Sequence, residues 1–393
     1  MRATTLLRVG PRTARWVAAS LLDRQGAGSR PPHRISPPVV AGAYLDELVG
    51  ATWIITQTNP SDDELGRMTA DLDAAIEQWD ERGWLAEPAS YHRDPTPLAA
   101  HEVSFRPATW GRRWQYEHVS FQSGFAPRPD EPGAAHWGVG DVVHGAVLRH
   151  GDGTQHPWIV LLHGYGMGHA GLDIVGFKAN HLHHDLGLNV MIPAMPRHGP
   201  RRHHHTAGLA SLDIVHTVHN LSQAVWDVRR IVRWIRSTTG QPVGLMGLSL
   251  GGYMTSMVAS LEDVDLAIAG IPVVDLGRLI QNHAPRPVRT KARRAGLFGN
   301  KATAAISLVS PLSVEPRVPH DRRFIFAALG DRMTTPEQAD VLWEHWTRPP
   351  IHWYHGGHVG FIWTPAVRRF IDDALVDSGF ASRAPQAPKR QAG

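Results

Sequence analysis

From Pro157 onward the chain alternates short continuous apolar runs with helical patterns, and this alternation constrains its fold more than any other feature. The runs Trp158–Leu162, Val190–Pro193, Val243–Gly247, Leu266–Val274, Phe324–Leu329 and Ile351–Tyr354 predict strands. Between and after them, helices are expected over Leu172–Leu186 and Val215–Arg236, from Leu250, from Pro336, and over Pro365–Val376. In the second of these, Val218, Leu221, Val225, Val228, Val232 and Ile235 recur at helical spacing and mark one buried face. Strands that are apolar on both faces need helices on both faces, so the pattern predicts an α/β fold with a mostly parallel, doubly wound sheet. Ahead of it, Val103–Phe105, Tyr116–Phe121 and Val142–Leu148 alternate in polarity between Pro and Gly clusters, and antiparallel strands, two of them, are expected to lead into the sheet. Ser61-Asp62-Asp63-Glu64 opens a helix running to about Trp84, with Ser61 as its cap. Residues 25–42, rich in Gly, Pro and Arg, read as a loop. The expected organisation is a helical N-terminal extension over 1–100, an α/β domain over 101–380 with a helical cap insertion at about 276–320, and a disordered tail over 381–393.

One of the strand-to-helix junctions carries chemistry. Val243-Gly244-Leu245-Met246-Gly247-Leu248-Ser249-Leu250-Gly251-Gly252 holds G-x-S-x-G between a predicted strand and a predicted helix. A serine lifted clear of a sheet sits on a sharp, strained turn, and Gly247 and Gly251 give the backbone room to fold around it. The helix that starts at Leu250 aims an N–H and the positive end of its dipole at developing negative charge. Ser249 is the candidate nucleophile.

A serine needs a base, and the base needs an orienting acid. Tyr354-His355-Gly356-Gly357-His358 follows the last predicted strand, where a Gly-Gly loop can carry His358 over the elbow; His355 is the second choice. Asp331 directly follows the strand ending at Leu329 and lies on the same sheet edge, where α/β ligands bind. Asp275, at the end of the preceding run, is the alternative acid, or else a cap for the segment after it. For an oxyanion the Leu250 N–H is one donor. The other is expected from His163-Gly164-Tyr165-Gly166, at the Tyr165 N–H with Gly166 as the fallback; His163 reads as a buried histidine bonded to its loop.

Composition excludes several alternatives. The 393 residues contain no Cys, which removes a Cys nucleophile, zinc–thiolate sites, iron–sulfur clusters and disulfides together. With 42% hydrophobic and 19% charged residues the chain can bury a core. A formal net charge of only +4 argues against a dedicated nucleic-acid binder. That small value hides an uneven distribution. Residues 1–22 carry four Arg and no acid, and the segment 276–320 sets eight Lys and Arg against the single acid Glu315.

The phrases HGYG (163–166), GLSLGG (247–252), GDRMTTP (330–336) and GGHVGF (356–361) together resemble the α/β-hydrolase superfamily, over about Glu102 to Phe380. More closely, the chain resembles mycobacterial-type actinobacterial α/β-hydrolases of uncharacterised function. These share a helical N-terminal extension, the HGPR loop (here 198–201), LSLGGY (248–253) and LWEHW (342–346). The resemblance implies serine-hydrolase chemistry with the chain order Ser249, Asp331, His358. It implies no cofactor and no particular substrate. The expected enzyme is a carboxylesterase- or lipase-like serine hydrolase acting on an ester or thioester through an acyl-enzyme. A serine peptidase of the same fold, or a non-catalytic scaffold, are the alternatives.

Other polar features are weaker. His181, His183, His184 and Asp185, and the run His203–His205, invite a metal but lack a carboxylate second shell, and no metal site is expected. The loop Arg197–His205 should overhang the site, which makes Arg197 and His198 candidate substrate contacts along with Gly166. Arg289, Arg293 and Arg294 of the basic cap are candidates for holding an anionic acyl donor. The partner expected is a small acyl substrate. The basic segment at residues 1–22 reads as a docking helix, with peripheral contact to an anionic membrane surface as the alternative. No stretch has the roughly 20 apolar residues that span a bilayer, and a cytoplasmic location is expected.

Overall fold

The structure, a computed structural model, describes residues 8–22, 28–31, 35–56, 60–111, 114–137, 141–202 and 208–382. Three helices come first: α1 (Val9–Leu22), α2 (Pro37–Thr56) and α3 (Asp62–Glu81). Strands β1 (Ser104–Trp110), β2 (Trp114–Gln122) and β3 (Val142–Leu148) follow. The body then alternates β4 (Trp158–Leu162), α4 (Ala170–Gly176), α5 (Ala179–His184), β5 (Asn189–Pro193), α6 (Ile214–Thr239), β6 (Val243–Leu248), α7 (Leu250–Leu261) and β7 (Leu266–Gly270). An insertion of α8 (Leu276–His283), α9 (Arg286–Arg294) and α10 (Asn300–Ser307) precedes β8 (Arg323–Ala328), α11 (Pro336–His345), β9 (Ile351–Tyr354) and α12 (Pro365–Asp377).

The sheet order is β1-β2-β3-β5-β4-β6-β7-β8-β9. Strands β5, β4, β6, β7, β8 and β9 are parallel, while β1, β2 and β3 are antiparallel and β3 joins β5 antiparallel. Every residue of β4, β5, β6 and β7 is buried, as a sheet covered on both faces requires. Two apolar cores lie on the two faces. One packs α6 and α7 through Val218, Leu221, Val225 and Met257; the other packs α5 and α12 through Leu182, Val367 and Leu375.

The structure corrects four readings. Three antiparallel strands, not two, precede the parallel part. Strand β1 runs through Pro107, which an edge strand tolerates because one side of its ladder is unpaired. The helix expected over Leu172–Leu186 is broken at Lys178, which takes a left-handed φ of 52°. The run Leu266–Val274 stops being strand at Gly270 because Ile271 turns to φ 42°. The loop expected over 25–42 gives way at Pro37 to α2; proline suits a first helical turn, whose N–H groups have no intrahelical partner anyway. Ser61 does cap α3, in a reciprocal capping box with Glu64.

The extension wraps the C-terminal edge of the sheet. Ser29 and Arg30 bind Asp340 of α11, and Trp353 of β9 donates to Ser29 Oγ. Helix α1 docks on α2 with Val9 and Thr13 buried, and its Arg12 meets Glu47 at 3.5 Å. Helix α3 packs against α10 and α6. The tail from 383 and the histidine run 203–205 lie outside the described residues. Among the described residues no helix is long and apolar enough to cross a membrane.

Candidate active site

The elbow forms as its glycines require. Ser249 sits between β6 and α7 at φ 59° and ψ −113°, a conformation that costs a non-glycine residue about 1–3 kcal/mol. A Cβ on Gly251 would stand 1.7 Å from the Leu162 carbonyl oxygen, and one on Gly247 would stand 2.0 Å from that of Gly251. Only hydrogen fits at either place. Other non-glycine residues with left-handed φ gather on the same sheet edge: Arg197 after β5 (64°), Ile271 after β7 (42°) and Thr335 after β8 (58°). Strain of this kind concentrates where a fold holds functional loops.

Strands β8 and β9 deliver the acid and the histidine to that edge. His358 Nδ1 lies 2.7 Å from Asp331 Oδ2, with both side chains buried. Asp331 also accepts from the N–H groups of Met333 (2.8 Å) and Thr334 (2.9 Å) and from Thr334 Oγ1 (2.8 Å). Burial would raise its pKa, but the charge of His358 and these hydrogen bonds outweigh burial and hold it below the ordinary carboxylate value. Burial would equally lower His358, yet Asp331 beside it raises the imidazole pKa above its ordinary value. With Nδ1–H donated to Asp331, Nε2 is the nitrogen left to accept a proton.

Ser249 is fixed on the same sheet edge through backbone. Its N–H donates to the Gly270 carbonyl (2.9 Å), and the Ser249 carbonyl accepts from Val273 N–H (3.3 Å). Thr334 Oγ1 reaches the Ile271 carbonyl at 3.5 Å, so the acid loop, the end of β7 and the elbow are contiguous. On the other side, a Cβ on Gly164 would lie 3.6 Å from Ser249 Cβ, which puts the loop after β4 directly on the elbow. Tyr165 there is 40% exposed, and Gly166 holds φ 81° beside open space. The Leu250 N–H opens α7, where no intrahelical acceptor exists. His163 is buried: Nε2 accepts from Met195 N–H (2.9 Å) and Nδ1 faces the Gly164 carbonyl (2.9 Å). Burial pushes its pKa down to about 3, so it is a neutral brace for the loop.

The remaining candidates fall elsewhere. Asp275 caps α8, accepting from Arg278 N–H at 2.8 Å. His355 is exposed. His198, expected to touch substrate, is instead buried, with Nδ1 at 2.9 Å from the Pro196 carbonyl and its ring against His163 and Tyr165; it props the loop after β4. Arg197 contacts Asn220 Oδ1 (3.2 Å) and lies over the Trp137 ring. Arg293 and Arg294 are exposed on α9, while Arg289 donates to the Gln281 carbonyl (3.2 Å). The cap's charge has a neighbour that its own segment does not show: α3 carries eight acids against the single Arg67. Lys291 pairs with Asp62 (2.7 Å), and Lys301 pairs with Asp73. His181 bridges Asp185 and Asp372, and His183 stacks on His150 at 3.9 Å. Among the described residues no group of three His, Asp or Glu could hold a metal ion.

Two polar residues were not legible from the sequence. Thr334 supports Asp331. Asp46, on α2, is 1% exposed and accepts through Oδ2 from the N–H of His358 (2.7 Å) and of Arg332 (3.0 Å). Its neighbour Glu47 pairs with the Arg332 guanidinium at 3.1 Å. Asp46 and Glu47 are the only charged residues in α2, and an isolated pair of acids in an otherwise apolar helix was the available signal.

A serine on a strained strand-to-helix turn, at the edge of a mostly parallel sheet whose last strands bring an acid and a histidine together, defines the α/β-hydrolase class. Residues 146–276 match the model of the family described as alpha/beta hydrolase domain containing 18. Two relatives from Mycobacterium tuberculosis strains, the uncharacterized proteins Rv2627c and MT2702, are each 38% identical over 393 aligned residues, 96% of this chain and 91% of theirs. The chain therefore belongs to the α/β-hydrolase family, in the group that contains these mycobacterial proteins. Acetyl xylan esterase 1 from Thermoanaerobacterium sp. JW/SL YS485 shares the fold, with a TM-score of 0.54, 15% identity, and coverage of 77% of this chain and 93% of that one.

Proposed function

We propose that the protein is a serine hydrolase that cleaves a carboxylic ester or thioester through an acyl-enzyme on Ser249. The observation that carries this reading is the buried Asp331–His358 pair, 2.7 Å apart, on the sheet edge where Ser249 is held at φ 59°. His358 Nε2 takes the Ser249 proton as Oγ attacks the acyl carbonyl. Asp331 keeps the proton on Nδ1 and stabilises the imidazolium. The Tyr165 and Leu250 N–H groups receive the tetrahedral oxyanion, each worth about 10²–10³ in turnover. The leaving group departs with the proton from His358, and water, activated by the same histidine, releases the acid.

For substrate we favour an anionic or lipid-like acyl donor, in a carboxylesterase- or lipase-like enzyme. The support is the exposed Arg face of α9, because Lys291 and Lys301 are already matched by acids of α3. Equal turnover of neutral and anionic esters, unaffected by salt, would remove that preference.

Fluorophosphonate labelling tests the chemistry. The wild-type chain should be labelled and Ser249→Ala should not. Labelling that survives the substitution places the nucleophile elsewhere, and none in either chain leaves a binding scaffold. A panel of acyl esters, thioesters and aminoacyl amides then separates esterase from peptidase.

A further inference from the structure

We infer that Asp46 is a positioning residue of the active site, so that the N-terminal extension completes a catalytic apparatus whose other parts all belong to the α/β body. This rests on the serine-hydrolase reading above and extends it. The acid and the base of that reading sit on separate loops, after β8 and after β9. One carboxylate oxygen, Asp46 Oδ2, takes the backbone N–H of His358 itself and the N–H of Arg332, the residue after Asp331. A single atom from 312 residues away in sequence thus clamps both loops and bears on the 2.7 Å spacing of their side chains.

The fit of α2 is close enough for this role. A Cβ on Gly42 would lie 2.1 Å from Gly357 N, so the helix backbone rests directly on the loop that carries His358. Buried N–H groups need acceptors, and Asp46 Oδ2 supplies one for both here. Glu47, one residue on, grips the Arg332 side chain from the same helix.

A neutral acceptor would meet the same geometric need, yet the residue is an acid. Asp46 Oδ1 is buried and has no hydrogen-bond partner among the described residues. When ionised, Asp46 places a second negative charge beside the imidazole, in addition to Asp331. Burial, then the charge of Asp331, push the Asp46 pKa up to about 7, against the opposing pull of His358. The other titratable or charged groups around the clamp are Tyr354, whose hydroxyl donates to the Gly357 carbonyl, Arg332 with Glu47, Arg12 beyond Glu47, and His283 of α8, bonded to the Met333 carbonyl. When ionised, Asp46 favours the imidazolium and so raises the pH above which His358 can act as a base.

The test measures the rate of Ser249 phosphonylation by a fluorophosphonate probe against pH in the full chain. It compares wild type with Asp46→Asn and Asp46→Ala, alongside thermal melting. Asparagine keeps an oxygen for both N–H groups and removes the charge. It should shift the acid limb of the profile down, by up to about one pH unit because Asp46 is only partly ionised there, while the plateau stays within about tenfold. Alanine removes the clamp and should lower the plateau about 10–100-fold, the scale set by a misplacement of about 1 Å. A folded Asp46→Ala with a wild-type plateau, or a folded Asp46→Asn with a wild-type acid limb, overturns the inference, and should Ala fail to fold, the Asn profile decides. Absence of labelling in wild type is a different result: it sinks the hydrolase reading itself.

Discussion

Two of the buried charge clusters in this molecule are built on opposite principles. Under the loop after β5, Arg201 is 2% exposed and meets Asp141 through Nε and one NH2 group, Asp227 at 2.8 Å and the Ala194 carbonyl at 2.9 Å. Asp227 takes Ser123 Oγ at 2.6 Å, and Asp141 takes Gln223 Nε2 at 2.8 Å. Both carboxylates bond the one guanidinium, whose fork is occupied on each nitrogen. At the edge of β8 and β9, by contrast, two carboxylates face one histidine, and an oxygen of Asp46 has no partner among the described residues. A saturated cluster has nothing left to give a reactant, and its contribution is to structure. An unsaturated one costs stability and keeps the capacity to move a proton.

The contrast breaks first at Asp331. In Asp331→Asn the carbonyl oxygen can still accept the Met333 and Thr334 N–H groups, but the amide N–H now faces His358 Nδ1. The imidazole then turns to the other tautomer, with its proton on the nitrogen that must accept one. Probe labelling or ester turnover should fall about 10³–10⁴-fold, or about 4–5.5 kcal/mol of transition-state stabilisation. Melting should change far less than the rate. A rate within tenfold of wild type would mean that Asp331 does not orient the base.

Arg201→Met probes the other cluster and should invert the result. It leaves Asp141 and Asp227 without their cation, and breaking such a buried pair costs about 3–5 kcal/mol. The urea midpoint should drop accordingly, while the folded fraction keeps a near wild-type labelling rate. A stable variant with a lost rate would move Arg201 from scaffold to site.

What the sequence made legible follows the same division. Ser249, Asp331 and His358 each sit just beyond a short apolar run, within two residues of a glycine, so chain-local pattern was enough to place them on one edge. The β6–α7 turn reads directly because Gly247 and Gly251 have no alternative. Asp46 could not be read that way. Its partners are hundreds of residues distant, and Pro37-Pro38 looks like a break when it is in fact a first helical turn. His198 misled for a related reason: a histidine in a loop near the site reads as a contact, and only packing shows that it is buried behind Tyr165. The positive cap was legible as charge, but its complement on α3 is a tertiary fact.

The smallest expected effect concerns that complement. The cap's excess of cations and the acids of α3 meet at the surface, where Lys301 and Asp73 are each more than half exposed and water screens them. Such pairs contribute about 0–1 kcal/mol. Lys301→Glu should therefore lower the melting temperature by only about a degree or two, with added salt narrowing the gap as screening removes the new repulsion from Asp73. The firmer hold between extension and cap is made by other contacts, such as Thr69 Oγ1 to the Ala295 carbonyl at 3.0 Å and His92 Nε2 to the Leu308 carbonyl at 2.8 Å. A large loss of activity from Lys301→Glu with melting unchanged would show that surface charge positions the extension, and through α2 the clamp on His358. The expected result is the reverse: the rate is insensitive to Lys301, because Asp46 is held by burial and backbone contact rather than by the charges between α3 and the cap.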